Sequence, residues 1–107
     1  MIRHIVMFQF KEEAEGRSKK ENVQITKDML DALPGKIPQI VSSQTAVNAK
    51  DADKTNYDLL LITDFASLDD LKTYIVHPDH KAVGAFMRPV RLSRTCIDIE
   101  IEEKSSR

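Results

Sequence analysis

Tryptophan is absent from these 107 residues, and cysteine occurs once, at Cys96. A single thiol closes no intramolecular disulfide, so a cystine-stapled secreted scaffold is excluded and a reducing, cytoplasmic setting is the expectation. Only three glycines are present, Gly16, Gly35 and Gly84, each isolated from the others. They build neither a phosphate-cradling loop nor a dinucleotide fingerprint. Charge of one sign is also missing, because 16 Lys and Arg stand against 17 Asp and Glu for a formal net charge of -1. Balance of this kind, spread along the chain, gives no electrostatic footprint for nucleic acid or for an anionic membrane, and neither is expected as a partner. No apolar run approaches the roughly 20 residues of a membrane-spanning helix. The opening Met1-Ile2-Arg3-His4-Ile5-Val6-Met7-Phe8 is apolar, but Lys11-Glu12-Glu13 follow without a small-residue cleavage site. It reads as a strand rather than a signal peptide.

What is present is the length and pattern of one α+β domain. The first strand, Ile2 to Lys11, puts Ile2, His4, Val6, Phe8 and Phe10 on one side and Ile5 and Met7 on the other. Ser18, with Glu21 three residues on, marks a capping box for a helix to about Leu33, whose apolar stripe is Val23, Thr26, Met29, Leu30 and Leu33. Pro34-Gly35 stops it, and a second strand runs from Ile40 to Val47. A polar loop from Asn48 to Asn56 leads into a third strand, Tyr57 to Phe65, apolar on both sides through Leu59-Leu60-Leu61-Ile62. Ser67 caps a second helix carrying Leu68, Leu71, Tyr74 and Ile75. Pro78 ends it, a short helix follows from Asp79 to about Met87, and the last strand spans Leu92 to Ile101. The domain thus covers residues 1–101, and 102–107 reads as a flexible tail.

The order β-α-β-β-α-β, with right-handed crossovers, predicts a ferredoxin-like four-stranded antiparallel sheet with the first and third strands in the middle. Both main helices then lie on one side of a sheet that is apolar on both. Ile5, Met7, Leu60, Ile62, Ile97 and Ile99 would form a patch larger than soluble monomers expose. A two-fold homodimer that packs sheet against sheet into a barrel-like core covers it.

Few residues carry chemistry: His4 in the first strand, and the cluster Tyr74-Ile75-Val76-His77-Pro78-Asp79-His80. Together with Ile2-Arg3-His4-Ile5-Val6-Met7-Phe8-Gln9-Phe10-Lys11 and Phe86-Met87-Arg88-Pro89-Val90, they resemble the stress-responsive A/B barrel (Dabb) family over nearly the whole chain. The resemblance implies a dimeric α+β barrel with no metal and no cofactor. Plant members of that family include stress-induced proteins, some forming larger assemblies, and a polyketide cyclase that closes a linear tetraketide by aldol condensation. By similarity to the cyclase, His80 matches its general base and Tyr74 its assisting phenol, and His4 also matches. A base near neutral pKa and a phenol donor suit proton removal beside a carbonyl. The chain departs from the cyclase at Leu59, where the cyclase has a further pocket histidine, and at Asn22, Val23 and Thr26, where it has aromatics.

The expected pocket is lined by Val6, Phe8, Val23, Leu30, Leu59, Leu61, Val83, Phe86 and Cys96, with His77 beside it. His77 before Pro78 also reads as a helix-end residue whose ring bonds nearby carbonyls, and His80 as a polar partner of Tyr74. His4 reads as a hydrogen-bonded core histidine, and Cys96 as a small core hydrophobe. His77, His80 and His4 are three nitrogen ligands in principle, but Pro78 breaks the helical face that would align them. Three functions remain open: a small-molecule-binding domain with cofactor-free cyclase, lyase or isomerase activity; a non-catalytic stress-associated dimer or larger assembly; and, by fold analogy, a cofactor-independent monooxygenase.

Overall fold

Strand β1 (Ile2–Phe10) alternates strictly, with Ile2, His4, Val6, Phe8 and Phe10 buried and the residues between them less so. This is the signature of a strand with a helical layer on one side only. The computed structural model describes residues 1–102, so most of the tail expected over 102–107 lies outside the described residues. It shows β1, α1 (Lys19–Ala32), β4 (Ser42–Val47), β5 (Leu59–Phe65), α2 (Leu68–Val76), α3 (Pro78–Met87) and β6 (Arg91–Glu100), with the two-residue strands β2 (Glu13–Ala14) and β3 (Arg17–Ser18) between β1 and α1. The main sheet is antiparallel in the order β4-β5-β1-β6, which is the ferredoxin-like arrangement with β1 and β5 central.

The β2–β3 hairpin is a feature that periodicity did not foretell, since two residues carry no pattern. Its turn places Glu15 and Gly16 at φ 55° and 75°. Two positive φ values in a two-residue loop fit the right-handed twist of paired strands, and glycine takes the second at no steric cost. Asn22 fixes the hairpin to α1, accepting from Arg17 Nε at 2.7 Å and donating to the Ala14 carbonyl at 3.2 Å. Ser18 then caps α1, and its capping box with Glu21 is complete.

Beneath the helices, Val6, Phe8, Phe10, Leu30, Leu33, Ile37, Leu59, Leu61, Phe65, Leu71, Tyr74, Val83, Met87 and Val90 form one buried apolar cluster. In α2 only Leu71 and Tyr74 belong to it. Leu68 and Ile75, expected on the same stripe, are 52% and 44% exposed, because a nine-residue helix ended by His77 turns only a narrow face inward. The opposite face of the sheet carries Met7 and Ile97 at 38% and 58% exposure, with Ile5, Leu60, Ile62 and Ile99 half-buried around them. At one end of that face Arg3 grips Asp64 through two bonds of 2.9 and 3.0 Å.

Candidate active-site cleft

The edge strand β6 pairs only with β1, in a register that sets Arg94 opposite Phe8, Cys96 opposite Val6 and Asp98 opposite His4. These three residues therefore share the helix side of the sheet. Helix α1 lies over β4, and α2 over β1 and β5, but no helix packs on β6 to the same extent. Arg94, Cys96 and Asp98 are consequently exposed, and the helical layer leaves the β6 edge open beside the buried core. Cys96 is thus not the core residue that its type suggested. Burial and the Asp98 carboxylate nonetheless push its thiol pKa up, with Arg94 opposing.

His4 lies buried beside this open edge. It is 3% exposed, and its Nδ1–H donates to the Asp98 carboxylate at 2.5 Å. Its ring meets Tyr74 and Phe65 edge-on, with centroids 6.2 and 6.5 Å apart. Tyr74 comes from α2 and packs against Phe65 at 4.9 Å and His80 at 4.4 Å. Burial pushes the Tyr74 phenol up to about 12, with the Arg94 charge pulling the other way. The hydroxyl stays protonated, and it makes no hydrogen bond to protein among the described residues. The expected polar pair of Tyr74 and His80 is therefore a ring contact instead.

His80 stands in the first turn of α3. Its Nδ1 lies 3.0 Å from the Ile75 carbonyl, an atom that can only accept, so Nδ1 carries the proton and Nε2 keeps its lone pair. Burial holds the His80 pKa below 6.5, the nearby His4, Arg94 and His77 add to this, and the Ile75 carbonyl opposes it. The ring is a neutral base at pH 7. His77 ends α2 and opens α3, and its Nδ1 accepts the Asp79 backbone N–H at 3.1 Å. It is a helix-end residue, yet it satisfies an amide rather than the expected carbonyl, because the orphan groups at a helix start are N–H donors. Among the described residues, neither His77 nor His80 shares a cluster of metal-ligating atoms with His4.

Most of the expected lining lies deeper. Val6, Phe8, Val23, Leu30, Leu59, Leu61 and Val83 are buried members of the apolar cluster, with Phe86 packed against it. Val23 also reaches a surface hollow of about 830 Å³ between α1 and the β4–β5 loop, which none of the three histidines lines. The residues that sequence reasoning missed are Arg94 and Asp98. Both sit in a strand whose alternation sets them on the side opposite Ile97 and Ile99, and only the His4–Asp98 register shows that they border a buried ring.

A family profile described as the stress responsive A/B barrel domain matches residues 2–101. The chain belongs to that family. Among curated proteins none matches this A/B barrel domain. Solved structures do resemble it. A dimeric protein of ferredoxin-like fold from Bacteroides fragilis is 29% identical with a TM-score of 0.78, covering 94% of this chain and 95% of its own. A dimeric ferredoxin-like protein from Thermobifida fusca is 26% identical at a TM-score of 0.78, covering 94% and 90%. The hydroxynitrile lyase of Passiflora edulis shares the A/B barrel fold at 17% identity and a TM-score of 0.75, covering 97% and 95%.

Proposed function

We propose that this A/B barrel domain acts as a homodimer that binds a small carbonyl compound in the β6 cleft and abstracts a proton from it without a cofactor. The observation that carries the reading is the pairing of His80 and Tyr74. One ring is a neutral base with Nδ1 anchored on the Ile75 carbonyl, and the other is a phenol that remains protonated, 4.4 Å away between centroids. In the reaction, His80 Nε2 takes the proton from the carbon beside the carbonyl, and the C–H electron pair moves into the carbonyl to form an enolate. Tyr74 O–H donates to the oxygen as its charge grows, and the Arg94 cation stabilises that charge. His4 touches no reacting atom in this scheme and holds the Tyr74 ring by its edge. The enolate can then attack a second carbonyl, as in a cyclase, or be reprotonated, as in an isomerase.

Dimerisation is supported by the exposed apolar face of the sheet and by the dimeric state of the Bacteroides and Thermobifida structures. The Passiflora lyase supplies fold alone, so the reaction class rests on the cleft.

The test is deuterium wash-in at the α-carbon of a panel of ketones and 1,3-diketones in D2O, followed by NMR. Exchange catalysed by the wild type should vanish in His80→Ala and fall by about 10²-fold in Tyr74→Phe. Exchange that persists at the wild-type rate in His80→Ala would exclude His80 as the base. Absence of exchange for the whole panel would favour the non-catalytic dimer.

A further inference from the structure

The geometry points to a divalent metal site at the β6 edge, with His4 Nδ1, Cys96 Sγ and Asp98 Oδ1 as three ligands of a zinc-like ion. The three atoms lie within 4.8 Å of one another. They are brought there by the sheet ladder itself, since His4 is the cross-strand partner of Asp98, and Cys96 precedes Asp98 by two residues on the same side of β6. Nothing has to fold around the ion to assemble them.

One separation already matches a tetrahedral centre, and the other two lie within about 1 Å of it. With ordinary bond lengths to nitrogen, oxygen and sulfur, such an ion holds N and S about 3.6 Å apart, O and S about 3.5 Å, and N and O about 3.3 Å. Here Nδ1 and Sγ are 3.5 Å apart, Sγ and Oδ1 3.9 Å, and Nδ1 and Oδ1 2.5 Å. The thiol is already in place. The carboxylate must withdraw from the ring by somewhat less than 1 Å, which a side chain exposed on an edge strand can do by a small rotation. Binding replaces the thiol proton and the proton that Nδ1 shares with Asp98, the latter moving to Nε2.

A second feature favours an ion over a nucleophilic thiol. In a cysteine–histidine–carboxylate relay the thiol and the carboxylate address opposite nitrogens of the ring. Cys96 and Asp98 both address Nδ1, so no proton can pass through His4 from one to the other. Convergence on one nitrogen is instead what a shared cation requires. Imidazole, thiolate and a single carboxylate select a borderline ion such as Zn²⁺ over Mg²⁺ or Ca²⁺, which demand oxygen shells. With His4 buried behind the ion and Cys96 and Asp98 exposed in front of it, a fourth position faces the cleft. The opposing group is Arg94, whose charge reaches the same thiol. Its side chain is exposed and can swing outward, at a cost in affinity. Neither His80 nor Tyr74 is a ligand, so the site stands independently of the proton-transfer reading.

Titration of the purified full chain with Co²⁺ under a phosphine reductant tests it. The expected result is one equivalent bound per chain, with a thiolate-to-cobalt charge-transfer band and the intense visible bands of a tetrahedral ion, and competition by Zn²⁺. Cys96→Ser should abolish the charge-transfer band and weaken binding by about 100-fold or more, and Asp98→Asn should weaken it by at least 10-fold. Both positions are exposed, so the variants should fold as the wild type does. Arg94→Gln should tighten binding, and His77→Asn, which keeps a helix-capping side chain, should leave the spectrum unchanged. A wild type without the charge-transfer band, a Cys96→Ser variant of unaltered affinity, or loss of the bands in His77→Asn would each overturn the assignment.

Discussion

β4 and β6 are the two edges of one sheet, and both carry polar residues on the side facing the helical layer, yet the chain treats them oppositely. On β4 the polar groups are satisfied locally. Ser43 meets Thr63 at 3.3 Å, and Thr45 donates to Asp31 of α1, which lies across the strand. Burial raises the Asp31 carboxyl, but hydrogen bonds from Lys27 and Thr45 outweigh it and hold the group below its ordinary value. On β6 no helix does the same, and Arg94, Cys96 and Asp98 stand open beside a buried histidine. An edge whose polar residues are satisfied by a covering helix is architecture. An edge whose polar residues stay reachable next to buried rings is where a ligand can be read and acted on.

The contrast can be broken most severely through the outer face. Leu60→Asp places an unpaired charge in the predicted dimer contact and should cost about 3 kcal/mol or more, so that light scattering behind size exclusion reports monomers. A variant that stays dimeric would mean that protomers meet elsewhere, and an interface over β6 would erase the difference between the edges. Next in size is the wall of the cleft. Tyr74→Ala should lower unfolding free energy by about 3–4 kcal/mol in denaturant melts, whereas Tyr74→Phe should stay within about 1 kcal/mol. A small loss in Tyr74→Ala would show that the ring stack does not hold the cleft.

A paired comparison sharpens the contrast further. Asp31→Ala, which strips β4 of its helix contact, should cost about 1 kcal/mol after allowance for solvent screening, while Arg94→Ala should stay within about 0.5 kcal/mol. Equal costs would contradict the division of labour. The smallest effect is in pH. His80 is depressed below 6.5 in the folded state, so the unfolded chain binds its proton first as acid is added. Stability from this group is therefore full above pH 6.5 and declines as pH falls from there towards the folded pKa. His80→Gln should flatten that limb of the stability profile, and an unchanged slope would show that His80 is not the group responsible.

Fold and site were legible to different degrees, for a physical reason. The strands β1 and β5, both helix caps and the stop at Pro78 follow from local rules of alternation and capping, so residue order alone reveals them. His80 and Tyr74 came instead from the resemblance to the A/B barrel family, carried by the block around His77 and Pro78. The local rules failed at β6. Cys96 was taken for core because alternation tells which side a residue faces but not whether anything covers that side. The β2–β3 hairpin escaped for another reason, since its evidence lies in the backbone angles of Glu15 and Gly16 rather than in hydrophobic pattern.

The joint at His77 has a consequence for how this domain could be altered. Because one residue closes α2 and begins α3, Tyr74 and His80 keep their tilted ring contact only while the spacer between them holds its length. One inserted residue would rotate α3 by about 100° and carry the imidazole off the phenol. Substitutions along β6 disturb no such phase relation. In the proposed reaction the base and the phenol thus depend on a length-sensitive joint, whereas β6 reaches them only through space, by the Arg94 charge that lowers the pKa of both.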